Sequence, residues 1–185
     1  LPVDRADLVA PHVLAVLLEL DAETLVGRAV KPGAEAFDHL PGEDLQVGQR
    51  VFGFGQGTFA SRVNVPAVLL ARQPANVSAI EAATIPAAAL TAELAFQQAG
   101  LKSGERVLIH AASGGVGMAA VGAAQALGAE VFATASRPKQ DVLRRLGLCH
   151  VYDSRSTEFA EQILTDTNGA GVHVVLNSLT NEGFI

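Results

Sequence analysis

The sequence has 185 residues, 49% of them hydrophobic, with a formal net charge of −6 and a pI near 5.3. A chain of this length and apolar content buries one sizeable core or two small ones. The acidic balance, with no concentrated run of Lys and Arg, excludes a nucleic-acid footprint, and the single cysteine, Cys149, excludes an internal disulfide and suits a reducing, cytoplasmic setting.

No basic segment leads into an apolar core at the start, so no secretory signal is expected. The apolar stretch from Val13 to Leu18 is too short to span a bilayer, and no membrane association is expected either. Residues 13–20 read equally as a buried strand or a helical turn, because length does not arbitrate. Lys31-Pro32-Gly33 and Leu40-Pro41-Gly42 are turn signals, and His12 and His39 lack partners at metal-ligand spacing.

From Leu45 to Arg72, short apolar runs (Arg50 to Phe54, Phe59 to Val65, Val68 to Ala71) alternate with Gly and Pro, which predicts small antiparallel β structure. Gly53, Gly55 and Gly57 precede no helical pattern and are expected in turns or bulges rather than in a phosphate loop. Ser78 with Glu81 forms a capping box, opening a helix that Pro86 is expected to interrupt. A second helix is expected from about Ala88 to Ala99, stopped by Gly100.

The most informative stretch follows, from Arg106 to Ser136. An apolar run beginning Arg106-Val107-Leu108-Ile109 meets a turn of small residues, then an Ala-rich helical pattern, then a second apolar run from Glu130. The turn, Ala112-Ser113-Gly114-Gly115-Val116-Gly117, fits G-x-G-x-x-G with Ala in the first position. In that geometry the first position makes the tight turn, Gly114 lets backbone approach a pyrophosphate, and Gly117 lets helix and strand pack closely. The N–H groups of Gly115, Val116 and Gly117 then point at the phosphates from a helix N-terminus.

Ser113 also occupies the serine position of a hydrolase nucleophile elbow with Ala in place of the first Gly. Asp153 or Asp166 followed by His173 would supply the triad order, although nothing in an elbow requires Gly117. Beyond Ser136 the alternation continues. Helices are expected over Lys139 to Leu146 and Thr157 to Thr167, and strands over Cys149 to Asp153 and Val172 to Leu176, which together give a parallel sheet. Four such strands against the six of a complete doubly wound sheet predict that the chain is part of something longer.

NAD-binding versions of this turn place an acid about 20 residues after the glycines. Here the second strand ends Ala135-Ser136-Arg137-Pro138-Lys139, with no acid, and Arg155 follows the third strand. A hydroxyl with cations suits a 2′-phosphate and favours NADPH over NADH. The alternative is that Arg137, Lys139 and Arg155 form a solvated basic rim.

Several segments together resemble the enoyl reductase domain of modular polyketide synthases and animal-type fatty acid synthases, a branch of the medium-chain dehydrogenase/reductase superfamily. They are Val47 to Gly53, Ala82 to Pro86, Gly104 to Ala120, Asp153-Ser154-Arg155-Ser156, and Val174 to Leu179 with its Asn177-Ser178-Leu179. The glycine segment alone is also similar to quinone oxidoreductases. The resemblance implies an α/β fold, a partial Rossmann-type parallel sheet preceded by a small GroES-like β substrate domain. It divides the chain into a partial substrate domain (1–78), connecting helices (79–100) and an NADP-binding domain incomplete at its C-terminal end (101–185).

The same resemblance implies NADPH-dependent reduction, without metal, of an α,β-unsaturated thioester carried on the phosphopantetheine of an acyl carrier protein, among neighbouring synthase domains. It implies cofactor contacts from Thr91, the turn residues Ala112 to Gly117, Ser136, Arg137, Lys139, Arg155, Asn177, Ser178 and Leu179, and proton donation by Lys139 and Glu158. Two departures stand beside it. Residues 1–45 show no recognisable opening strands of the family, and Thr91-Ala92-Glu93-Leu94 stands where members commonly read Thr-Ala-Tyr-Tyr. A degenerate reductase domain with a structural role is the alternative those departures leave open.

Overall fold

The computed structural model describes residues 14–19, 45–58 and 60–177. The chain divides into two compact units, Leu1–Ala87 and Ala88–Ile185. His12 and His39 lie outside the described residues.

In the first unit, β1 (Leu14–Glu19), β2 (Arg50–Gly55) and β3 (Leu70–Arg72) form an antiparallel sheet in that order. The ambiguous early stretch is therefore strand, paired in unbroken register from Leu14 opposite Gly55 to Glu19 opposite Arg50. Leu45, Val51, Val65 and Leu70 make a small core. Two expectations are corrected here. Residues 60–65 form no strand; Pro66 offers no N–H and restricts the residue before it, and Val65 packs into the core from irregular chain. Gly53 is neither turn nor bulge, since it lies within β2. A Cβ on it would overlap the Leu69 carbonyl oxygen and sit 2.9 Å from the Leu69 carbonyl carbon, so β2 and β3 reach their spacing only with glycine there.

Helix α1 (Ala79–Ala99) opens on the expected capping box. Glu81 accepts from the Ser78 backbone N–H at 2.9 Å, and the Glu81 N–H donates to Ser78 Oγ at 3.3 Å. The helix runs through Pro86 without a break, which corrects the expectation of two helices. Pro86 offers no hydrogen bond to the Ala82 carbonyl, a loss of about 3 kcal/mol in a helix interior. The alanines around it have the highest helix propensity, and burial of Ala92 and Phe96 fixes the C-terminal half. By length and composition alone α1 is also apolar enough to cross a membrane, unlike the shorter stretch singled out in the sequence. Ala92 and Phe96 belong to the core of the second unit, while Ile80, Ile85, Leu90 and Leu94 of the same helix are exposed.

The second unit alternates strand and helix: β4 (Arg106–Ile109), α2 (Gly115–Leu127), β5 (Glu130–Ala135), α3 (Arg137–Arg145), β6 (His150–Asp153), α4 (Phe159–Asp166) and β7 (Val174–Leu176). All pairings are parallel, in the order β6-β5-β4-β7. Counted along the unit this is 3-2-1-4, the start of the doubly wound order. Alternation along the strands splits the core between two faces. Val107, Ile109, Val131, Ala133 and Ala135 pack with Ala120, Val121 and Ala124 of α2 and with Leu143 of α3. Leu108, Phe132 and Tyr152 pack on the other face with Ile163 of α4. Winding outward from β4 and then back to its far side requires this change of face if every crossover keeps one hand.

The amino edge of the sheet is closed by a polar network. Glu130 approaches Arg106 at 3.6 Å and His150 at 3.4 Å, Asp166 accepts from the Tyr152 hydroxyl at 2.7 Å, and the Arg106 N–H donates to His173 Nδ1 at 3.0 Å. The carboxyl edge is different.

Candidate functional site

Strand order reverses at β4, and doubly wound sheets bind ligands beyond the carboxyl ends of the strands at such a reversal. The chain leaving β4 is pinned there to both neighbouring strands. The His110 N–H donates to the Leu176 carbonyl of β7 at 3.0 Å, and the Ala112 N–H donates to the Thr134 carbonyl of β5 at 2.9 Å. Between them Ala111 takes φ 49°, a left-handed conformation that costs a non-glycine residue about 1–2 kcal/mol and turns the chain sharply. The Ala111 carbonyl then accepts from the Gly114 N–H at 2.8 Å and closes the turn.

Helix α2 starts immediately beyond. The Met118 N–H donates to the Gly114 carbonyl at 2.8 Å, and no side chain caps the helix. Three N–H groups, those of Gly115, Val116 and Gly117, therefore have no acceptor among the described residues, and Gly114 and Gly115 are exposed. A Cβ on Gly117 would overlap the Ala111 carbonyl oxygen and lie 2.6 Å from Ala112 Cα. The helix can begin this close to the strand end only with glycine at that position. A Cβ on Gly114 would meet only the Ala111 carbonyl oxygen, at 3.2 Å, and Ala112, fully buried, fills the first position with a methyl that the core accommodates. Unpaired backbone donors at an uncapped, accessible helix N-terminus suit an anionic pyrophosphate.

Beneath the turn lies a buried polar pair, His110 Nδ1 with Thr134 Oγ1 at 3.0 Å, with the edge of the His110 ring set against Phe159 at 5.2 Å between centroids. Burial pushes the His110 imidazole below its ordinary value, so it is neutral at neutral pH.

Ser136, Arg137 and Lys139 follow β5, and Arg155 follows β6. All three cations are exposed, and Lys139 stands in the first turn of α3. The end of β5 carries no acid of its own, but β6 brings one to the same corner. Parallel register sets Asp153 opposite Ala135, and its Oδ2 accepts from Arg137 Nε at 2.8 Å while its Oδ1 accepts from the Arg155 backbone N–H at 3.0 Å. The Arg155 N–H and then the Arg137 guanidinium hold the Asp153 carboxyl below the usual carboxylate range. No spacing rule along the sequence reveals this acid; the pairing of β5 with β6 does.

Glu158 is exposed at the residue before α4, its N–H donating to Ser156 Oγ at 3.2 Å. Thr91 is exposed on α1 beside Ala92, which shares a core with Ala112. Asn177 directly follows β7, and Ser178 and Leu179 lie outside the described residues. The hydrolase triad is not assembled. Ser113 stands at the carboxyl edge of the sheet, whereas His173 and Asp166 stand at the amino edge and Asp153 is bound to Arg137.

Residues 115–184 match the family model described as zinc-binding dehydrogenase. Over that stretch the second unit is similar to the medium-chain dehydrogenase/reductase family. Among the described residues no group of three or more His, Cys, Asp or Glu is placed to hold a metal. A mycocerosic acid synthase-like polyketide synthase of Mycobacterium tuberculosis is 49% identical over 166 residues, which are 85% of this chain and 8% of that protein. The crystal structure of CurK enoyl reductase matches with a TM-score of 0.71 and 47% identity, over 75% of this chain and 42% of that one. A quinone oxidoreductase from Thermus thermophilus, solved also with NADPH, matches with a TM-score of 0.65 and 37% identity, over 73% of this chain and 45% of that one. The chain thus spans under half the length of each of these relatives. Polyketide synthases and their enoyl reductase domains are among the proteins it is similar to, and NAD(P)H is the class of cofactor that suits its turn.

The neutral buried His110 makes stability depend on pH. The unfolded chain takes up a proton near the ordinary value of 6.5 and the folded chain only at lower pH, so its contribution is complete above about 6.5 and is lost as pH falls toward the folded value. The slope reaches at most about 1.4 kcal/mol per pH unit. Between about pH 7.5 and about pH 5.5, the wild type is expected to lose more urea stability than His110→Gln. Equal losses would show that His110 is not held neutral.

Proposed function

We propose that this chain is the cofactor-binding part of an NADPH-dependent enoyl reductase in a polyketide or fatty acid synthase. Its substrate is an α,β-unsaturated thioester on the phosphopantetheine arm of an acyl carrier protein. Its partners are that carrier and the neighbouring synthase domains, in the cytoplasm. The observation that carries this is the uncapped, glycine-lined turn at the point where strand order reverses, in a unit that matches a reductase family. Higher identity to an enoyl reductase than to a quinone oxidoreductase, 47% against 37%, favours the thioester substrate.

Bound NADPH supplies the hydride that reduces the β-carbon. The chain's own residues do the rest. The N–H groups of Gly115, Val116 and Gly117 hold the pyrophosphate, and the helix N-terminus compensates its charge. Ser136, Arg137, Lys139 and Arg155, at the ends of β5 and β6, surround the place where this fold holds the adenosine ribose, and they favour a 2′-phosphate there. The α-carbon needs a proton, for which family resemblance nominates Lys139 and Glu158. Both follow β5 and β6, on the adenosine side of the reversal, so for Lys139 the phosphate role has the nearer geometry.

Two measurements test this. A charge-assisted contact is worth about 1.5–3 kcal/mol, so Arg155→Ala or Lys139→Ala should weaken NADPH binding by about ten-fold or more and spare NADH. Equal losses for both cofactors would mean that these cations do not read the 2′-phosphate. For proton transfer, turnover of a crotonyl thioester at saturating NADPH is compared in the reductase carrying Lys139→Met or Glu158→Gln. A positioned donor contributes about 10²–10⁴-fold, so at least one variant should fall by about 10². Rates within about three-fold of the wild type in both would assign the proton to water or to another residue.

A further inference from the structure

We propose that Asp153 is a positioning residue for cofactor discrimination. It holds the Arg137 guanidinium and the Arg155 turn in place before NADPH arrives, an inference that rests on the reading of these cations as the 2′-phosphate site. The two turns follow neighbouring strands, and Asp153 ties them together with separate oxygens, Oδ2 to Arg137 Nε at 2.8 Å and Oδ1 to the Arg155 N–H at 3.0 Å. The Asp153 backbone is itself fixed, because Ala135 and Asp153 are register partners and the Ser154 N–H donates to the Ala135 carbonyl at 3.1 Å. The Asp153 side chain is 23% exposed and that of Arg137 is 86% exposed. The acid is thus seated in the sheet edge and the cation projects from it.

Which edge of the guanidinium is used decides what the pair can do. Asp153 takes Nε and leaves the Nη groups to solvent, so a phosphate can bind at the outer end without displacing the acid. An arginine held at one edge loses less side-chain entropy on binding than one free to move. An exposed ion pair adds little to folding stability, so the effect should appear in cofactor choice. The opposite sign is equally specific. If the phosphate instead competed with Asp153 for the same donors, removing the acid would strengthen NADPH binding.

The test is fluorescence titration of NADPH and NADH with the full chain as wild type, Asp153→Ala, Asp153→Asn, Arg137→Ala and the double variant Asp153→Ala with Arg137→Ala. Asp153→Ala should weaken NADPH binding about five- to ten-fold and leave NADH within about two-fold. Asp153→Asn, with one acceptor oxygen in place of two, should fall between. The double variant should bind NADPH no worse than Arg137→Ala alone, because the acid acts through the arginine. Unchanged or tighter NADPH binding in Asp153→Ala and Asp153→Asn, with a loss in Arg137→Ala, would overturn the proposal and leave the phosphate site standing. Equal losses of NADPH and NADH would overturn it in favour of a purely structural role. No loss in Arg137→Ala would remove the 2′-phosphate reading of Arg137 and this inference with it.

Discussion

The nucleotide-binding unit depends on one close approach. Helix α2 begins so near the end of β4 that a methyl group at Gly117 would overlap the Ala111 carbonyl oxygen. Because no side chain fits there, the helix axis can point its first N–H groups over the strand end, where they are donors that nothing else in the described chain satisfies. The costs of that geometry are local: a left-handed Ala111 and an uncapped helix start. Backbone hydrogen bonds from His110 to β7 and from Ala112 to β5 hold the strained turn in place. Strain held by its surroundings at the carboxyl end of a sheet is the pattern expected of a binding site.

The two edges of the parallel sheet divide the work. At the amino edge Arg106, Glu130, His150, Tyr152 and Asp166 satisfy one another. At the carboxyl edge are backbone donors and exposed cations, and Asp153 there bonds the Arg137 guanidinium and the Arg155 N–H without covering them. Electrostatics thereby makes this the end of the sheet that suits an anion, and the glycine turn is where along that end its donors lie.

Much of this was legible in the sequence because it follows from local rules. The period of the apolar runs located β4 to β7 and the helices between them within a few residues, and the Ser78 with Glu81 spacing located the start of α1. The glycine pattern located the turn. What was not legible depended on tertiary contact. Pro86 reads as a helix breaker, yet the surrounding alanines and the burial of Ala92 and Phe96 carry the helix through it. Gly53 reads as a turn residue, yet it serves the close approach of Leu69 within a sheet. Asp153 lies far along the sequence from Ser136, and only the register of β5 against β6 brings it to Arg137.

The central claim is that the turn from Ala112 to Gly117 holds the pyrophosphate of NADPH, and Gly114→Val tests it most directly. Gly114 has φ −83° and ψ 174°, extended backbone open to any residue, and its Cβ would lie 3.2 Å from the Ala111 carbonyl oxygen, which must give by a few tenths of an ångström, so folding is measured beside binding. Titration of wild type and Gly114→Val with NADPH, alongside thermal unfolding of each, should give a folded variant that has lost most of its affinity. A variant that unfolds like the wild type and binds NADPH equally well would contradict the account.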